Sequence, residues 1–153
     1  RDIERDVVPM LKGEGVGLLV WSPLAGGFLS GKYGRDLTGP EGSRRQHLDF
    51  PPVDVERAYN AIDVMRTVAE TRGVSVAQIA LAWLLHQKTV SSVIIGTRKI
   101  QQLEDNIGAT TIGLNEDELK AIEEASRLPA EYPGWMLDMW GQPRAQQLQD
   151  SHT

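Results

Sequence analysis

The run Val16-Gly17-Leu18-Leu19-Val20-Trp21 holds no polar side chain and shows no alternation. A strand with one wet face alternates apolar and polar residues. A strand without alternation reads as buried on both faces, the pattern of parallel sheets covered by helices. The run then breaks into Ser22-Pro23-Leu24-Ala25-Gly26-Gly27, and Gly31-Lys32 closes the segment. Small residues, Pro and Gly let backbone amides turn outward, and a hydroxyl and an ammonium stand close by. An apolar strand running into such a turn is how a parallel α/β protein builds an anion site. The same residues also suit a plain strand-to-loop transition with no ligand.

A second strand is readable at Ser91 to Ile95, short and β-branched, ended by Gly96. Helical patterns fill the rest. Asp2 to Lys12 places Ile3, Val7, Met10 and Leu11 on one face, with Pro9 expected to kink the helix or shift its start and Gly13 and Gly15 to end it. Asp54 is a good N-cap for a helix from about Val55 to Arg72, with Ile62, Met65, Val68 and Ala69 inside and Gly73 as its stop. Ser75 and Gln78 form a capping-box pattern for a helix through about Gln87, whose Ile79, Ala80, Ala82, Trp83, Leu84 and Leu85 predict burial against the sheet. A helix follows from about Lys99 to Ala109. Asn115 with Glu118 caps another, to about Arg127, with Leu119 and Ile122 inside. From Leu128 onward the pattern fails, and residues 129–153 read as a tail rich in Pro, Trp and Met.

Helices alternating with two strands give parallel pairing with helical crossovers. Two strands alone are both edges, and both are apolar. The chain is therefore expected to expose a sticky face, and to self-associate or pair with a further part of a larger sheet. Gly34 to Pro52 is long and irregular, and such loops are usually functional or disordered. It carries Ser43-Arg44-Arg45, which also suits a solvated charged loop.

The net charge of −5 argues against nucleic acid or an anionic membrane as a bulk electrostatic partner. Cys is absent, which excludes disulfides, thiolate nucleophiles and Cys-based metal sites. No apolar run approaches the roughly 18 residues of a membrane span, and no signal peptide is visible, so a cytoplasmic protein is the default expectation.

Two stretches carry a resemblance. Trp21-Ser22-Pro23-Leu24-Ala25-Gly26-Gly27-Phe28-Leu29-Ser30-Gly31-Lys32-Tyr33 is similar to the strand-seven loop of the aldo-keto reductases, NADPH-dependent (β/α)8 barrels. Ser92-Val93-Ile94-Ile95-Gly96-Thr97-Arg98-Lys99, continuing to Gln102-Leu103-Glu104-Asp105-Asn106, resembles the strand-eight loop and following helix. The likeness is strongest to the bacterial branch related to potassium-channel β subunits and extends from about Arg1 to Trp135. It implies an α/β fold, the C-terminal part of a (β/α)8 barrel over residues 1–128 followed by the tail. A complete barrel typically needs about 250 residues, and this chain has 153. The start at Arg1, inside a helical pattern, likewise predicts sequence upstream.

The resemblance implies roles residue by residue. Trp21 stacks on the nicotinamide. Ser22, Leu24, Gly26 and Lys32 wrap the pyrophosphate. Arg44 belongs to a Ser-Arg pair that lies across the cofactor as a clasp. Gly96, Thr97, Arg98 and Lys99 take the adenosine 2′-phosphate, two cations beside a helix start favouring a dianion and hence NADPH over NADH. Gln102, Asp105 and Asn106, at helical spacing, hold the adenosine. Some members have Arg where this chain has Gln102, which shifts the 2′-phosphate grip onto Arg98 and Lys99. The family's catalytic Tyr, Lys, Asp and His come from the N-terminal half of the barrel, and no residue here replaces them. Tyr33 belongs to the cofactor loop, Tyr59 reads as packing, Tyr132 lies in the tail, His86 ends an apolar helix, and His47 and His152 are isolated. No metal-ligand cluster is visible. In the tail, Trp135, Met136 and Trp140 suit either a cover for the substrate pocket or a cap on the core. The implied function is the NADPH-binding portion of a reductase of aldehydes and ketones. A non-catalytic nucleotide-binding or regulatory module, and an inactive fragment, stand as the alternatives.

Overall fold

The computed structural model describes residues 1–137 and 139–141, apart from the side chain of Arg44. A 3-10 turn at Asp2–Glu4 precedes helix α1, Val7–Glu14. The helix expected across this whole stretch is thus divided. Pro9 sits in the first turn of α1, where its missing N–H is no loss, but its ring would strike the carbonyl four residues earlier if the helix ran on from Asp2. Gly15, at φ 66°, ends it. Only Leu11 of the expected apolar face is buried; Ile3, Val7 and Met10 are exposed.

Strand β1, Leu18–Val20, is followed by the 3-10 segment Ala25–Ser30. The long stretch after it is not featureless. Strands β2, Tyr33–Gly34, and β3, Leu37–Thr38, form an antiparallel hairpin, and helix α2, Arg44–His47, makes one turn. Buried Ser43 shares a 2.7 Å hydrogen bond with the Tyr33 hydroxyl.

Helix α3, Val55–Arg72, starts at Asp54, whose carboxylate accepts the Arg57 amide, and stops at Gly73 in the left-handed region. Helix α4, Val76–Leu85, starts at a complete capping box between Ser75 and Gln78. Strand β4, Val90–Val93, leads to helix α5, Ile100–Gly108, and helix α6, Glu116–Ser126, opens with a second capping box, Asn115 with Glu118. After Pro133 the chain turns helical again.

Strand β1 pairs with β4 in parallel, in the register Leu19↔Ser92 and Val20↔Val93, with an irregularity between Leu18 and Leu19. The connection between them runs through α3 and α4. Helix α4 lies against β4, α3 and α5, and α3 also packs on α6. Ile62 of α3 and Ile79 of α4 are fully buried, and Met65, Ala69, Ala82 and Ile122 close around them. Burying each such aliphatic side chain contributes about 1.5–3 kcal/mol. Phe28 stacks between Tyr33 (5.2 Å) and Tyr59 (5.6 Å), fastening the segment after β1 to this core.

The sheet departs from expectation in burial. Strand β1 is covered on one face only: Leu19 and Trp21 stand 60% and 62% exposed, and Ile94 after β4 is 50% exposed. Helix α4 covers the other face, and no second layer lies over this one among the described residues. No helix is long and apolar enough to cross a membrane.

Candidate nucleotide site

Both loops that follow the parallel strands, 21–32 after β1 and 94–98 after β4, line one groove of about 1030 Å³. The C-terminal end of a parallel sheet is where helix N-termini and loop amides converge, so ligand sites of α/β folds concentrate there.

The first bank is the glycine turn. Ser22 (φ 53°) and Ala25 (φ 49°) hold left-handed backbone that non-glycine residues seldom adopt. Such strain persists only where the surroundings fix it. Ser22 supplies part of that fixing, since its Oγ accepts the Gly26 amide at 3.3 Å. Gly26 itself has φ 67°, and a Cβ on it would lie 2.6 Å from the Phe50 carbonyl oxygen. Gly31, at φ 84°, leaves no room for a Cβ beside Val76, and the Arg66 guanidinium donates to its carbonyl at 3.1 Å. The turn is thus pressed between the returning loop and α4. The Lys32 ammonium lies 5.5 Å from the centre of the Tyr33 ring and meets no carboxylate among the described residues.

The second bank is the start of α5. Its N-cap residue, Lys99, makes no side-chain capping bond; the Gln102 amide turns back to the Lys99 carbonyl at 3.1 Å, and the positive end of the helix dipole faces the groove without a side-chain cap. Gly96, Thr97 and Arg98 lead into it along the groove wall. Gln102, Asp105 and Asn106 follow on the same side and also line the groove. The Ser75 hydroxyl donates to Asp105 at 2.7 Å while accepting the Gln78 amide at 3.1 Å, which ties the start of α4 to α5.

The structure therefore brings Trp21, Ser22, Leu24, Gly26 and Lys32 together with Gly96, Thr97, Arg98, Gln102, Asp105 and Asn106. Lys99 is exposed and stays outside the lining, because the N-cap backbone turns there. Arg44 has its backbone in α2, and its side chain lies outside the described residues. Trp21 stands at the mouth with its ring centre 6.0 Å from that of Phe50.

Sequence reasoning passed over several wall residues. Ser30, His47, Leu48, Ser75 and Gln101 line the groove. Ser75 was visible only as a cap, and His47 only as an isolated histidine; the loop fold brings each to the wall. Of the tyrosines, Tyr33 is buried on Ser43, Tyr59 is stacked on Phe28 and Tyr132 is exposed, so none lines the groove. His86 accepts the Leu114 amide on Nε2 (3.2 Å), leaving Nδ1–H to donate to the Ala82 carbonyl (2.7 Å), a helix-end role. No metal-binding group of His and carboxylate side chains occurs among the described residues. Trp135, Met136 and Trp140 do not line the groove either, and both tryptophans are exposed. Their segment is held instead beside the chain start, where Arg5 pairs with Glu131 at 2.6 Å. Residue 138 and residues 142–153 of the expected tail, with His152, lie outside the described residues.

Fold and groove describe an α/β protein with a parallel strand pair and a groove at the C-terminal ends of its strands. Comparison with known proteins narrows the class. The family model described as the aldo/keto reductase family matches residues 1–127. A soybean (Glycine max) protein named "Probable aldo-keto reductase 1" is 35% identical over 125 residues, 82% of this chain and 36% of that protein. L-glyceraldehyde 3-phosphate reductase of Escherichia coli K12 is 35% identical over 122 residues, 74% of this chain and 34% of its own length. An aldo-keto reductase of Pseudocercospora fijiensis is 33% identical over 141 residues, 82% of this chain and 46% of that protein. The chain belongs to the aldo/keto reductase family, whose fold is the (β/α)8 barrel, and it spans 34–46% of the length of these relatives. Members of the family use nicotinamide cofactors and act on carbonyl substrates.

Proposed function

We propose that this chain is the cofactor-binding, C-terminal part of a barrel that reduces aldehydes or ketones with NADPH. The observation that carries the reading is the single groove that joins the glycine turn after β1 to the uncapped start of α5 beside Arg98. Its volume leaves room for a dinucleotide, and its loop amides, Lys32 and Arg98 suit phosphates.

Trp21 would face the nicotinamide. Ser22, Leu24 and Gly26 would offer backbone donors to the pyrophosphate, with Lys32 as the counter-charge. Gly96, Thr97, Arg98 and Lys99 would hold the 2′-phosphate, and Arg44 would belong to the clasp across the cofactor. Gln102, Asp105 and Asn106 would hold the adenosine. The bound cofactor supplies a hydride; these residues orient it and set the charge around it. The carbonyl substrate and the proton donor belong to the remainder of the barrel, and the open faces of β1 and β4 are where that remainder, or a second copy of this chain, would pack. A cytoplasmic location, without nucleic-acid or membrane partners, fits the charge. The relative named for L-glyceraldehyde 3-phosphate suggests small aldehydes as a first substrate class to test.

The test is a fluorescence titration of the chain with NADPH and NADH, repeated on Arg98→Ala/Lys99→Ala. Saturable binding that prefers NADPH is expected. The double variant should lose about tenfold or more for NADPH and little for NADH, since charge-assisted bonds contribute about 1.5–3 kcal/mol each. Equal losses for both cofactors would reject the 2′-phosphate assignment. A non-catalytic nucleotide module is favoured over a reductase if binding persists but the longer protein shows no carbonyl turnover.

A further inference from the structure

We infer that Arg45 is a positioning residue that latches the strap 43–51 onto the glycine turn and so sets the groove's upper wall. The proposal rests on the cofactor reading only for its consequence, not for the latch itself. The Arg45 side chain is 7% exposed, whereas residues 46–50 after it are exposed. Its Nη1 donates both to the Ala25 carbonyl (3.1 Å) and to the Pro51 carbonyl (2.8 Å), and its Nη2 pairs with the Asp49 carboxylate. The guanidinium also lies 5.0 Å from the centre of the Phe28 ring.

These partners lie on two segments that each carry neighbouring residues of the groove wall, Gly26 on one and His47 and Leu48 on the other. Ala25 belongs to the strained turn, one residue before Gly26. Asp49 and Pro51 belong to the returning strap, whose Phe50 carbonyl presses on Gly26. His47 and Leu48, carried between them, line the groove. A planar fork that donates in two directions can bridge two carbonyls and a carboxylate at once, which a Lys ammonium on a flexible stem does less well. With the fork present, the left-handed backbone at Ala25 and the strap are held as one unit. With it removed, the Ala25 and Pro51 carbonyls turn to water and the strain at Ala25 loses its restraint.

The experiment has two arms on the full chain, wild type against Arg45→Ala and Arg45→Lys. In the first, backbone hydrogen exchange is followed without cofactor. Arg45→Ala should speed exchange about tenfold in both 25–31 and 46–52, while α3 amides keep wild-type rates, and Arg45→Lys should fall between. Unchanged exchange in either segment overturns the latch. A rise throughout α3 as well means that the variant has lost its fold, and the Arg45→Lys comparison then decides. In the second arm, NADPH and NADH dissociation are timed by stopped flow. Both should leave Arg45→Ala about tenfold faster, by the same factor, because the latch acts on the turn and not on the 2′-phosphate. Faster exchange with unaltered dissociation overturns the positioning role. A wild-type chain that binds neither cofactor overturns the cofactor reading, and the exchange arm still decides the latch.

Discussion

Ile62 of α3 and Ile79 of α4 are fully buried, whereas Leu19 and Trp21, at and just beyond strand β1, stand 60% and 62% exposed. The residue types are equally apolar, and the difference lies in how each element completes its surroundings. A helix satisfies its own backbone and needs one partner for one stripe. Helices α3, α4 and α6 supply that for one another within a few tens of residues. A parallel strand needs a neighbour on each edge and a layer on each face. Among the described residues β1 has one strand neighbour, β4, and the helix that packs on this pair is α4, against β4. The helical layer is thus self-sufficient in this chain, and the sheet is not.

The largest expected effect tests that contrast directly. Ile79→Ala should cost about 2–5 kcal/mol in denaturant unfolding, while Leu19→Ala should stay within about 0.5 kcal/mol. A comparable loss from Leu19→Ala would mean that the open face is covered in solution, and sedimentation at several concentrations would show whether a second copy covers it.

An intermediate effect compares two caps. Asn115→Ala removes a capping box at α6 and should cost about 1 kcal/mol. Ser75→Ala removes the equivalent box at α4 and also the bond to Asp105, so it should cost about 1–2 kcal/mol more, and weaken cofactor binding where the α6 variant does not. Equal costs would show that the Ser75–Asp105 bond adds nothing to stability.

The smallest effect is electrostatic. The Arg72 guanidinium, bonded through two 2.6 Å contacts, holds the Glu118 carboxyl below the usual carboxylate range. A carboxyl lowered in the folded state adds stability that is complete above its unfolded value of about 4.3 and is lost as pH falls through the lower folded value. The pair is near the surface, so solvent screening keeps its contribution small. Unfolding of Arg72→Ala measured from pH 7 to 3 should therefore show a shallower acid loss than wild type, with the two curves converging at the acid end. Parallel curves would remove Glu118 from the pH dependence.

Much of the helical layer was legible because its signals are local. Asp54 and Gly73 bound α3 at the residues the sequence indicated, and the Ser75–Gln78 and Asn115–Glu118 boxes opened α4 and α6 as expected. Each is a hydrogen bond closed within four residues, which needs no knowledge of the rest of the chain. The apolar side of α3 followed from the 3.6-residue period, whereas in α4 Ile79, Ala80 and Ala82 are buried as expected but Trp83 and Leu84 are half-buried and Leu85, at the helix end, is exposed. Pro9 announced a break near the first helix, although not its form. The strands were legible in place but not in burial. An unalternating run reports what a strand is built to meet, and the residues that would meet it are not among those described.

The groove divides in the same way. That Trp21 to Lys32 and Gly96 to Asn106 share a wall follows from two parallel strands whose C-terminal ends point the same way, a consequence of topology that the alternation of elements predicts. Caps, period and spacing by themselves indicated α3, α4, α6 and the parallel class, and the family resemblance indicated the two loops after the strands. Only the tertiary structure decided that β1 has an open face, that Lys99 stays off the wall while Ser75 and His47 join it, and that the Arg45 side chain joins the turn after β1 to the segment 43–51. The physical reason is range. A cap is settled by neighbours four residues away, while Arg45 reaches Ala25 twenty residues back and Pro51 six ahead only after the turn and the strap have met.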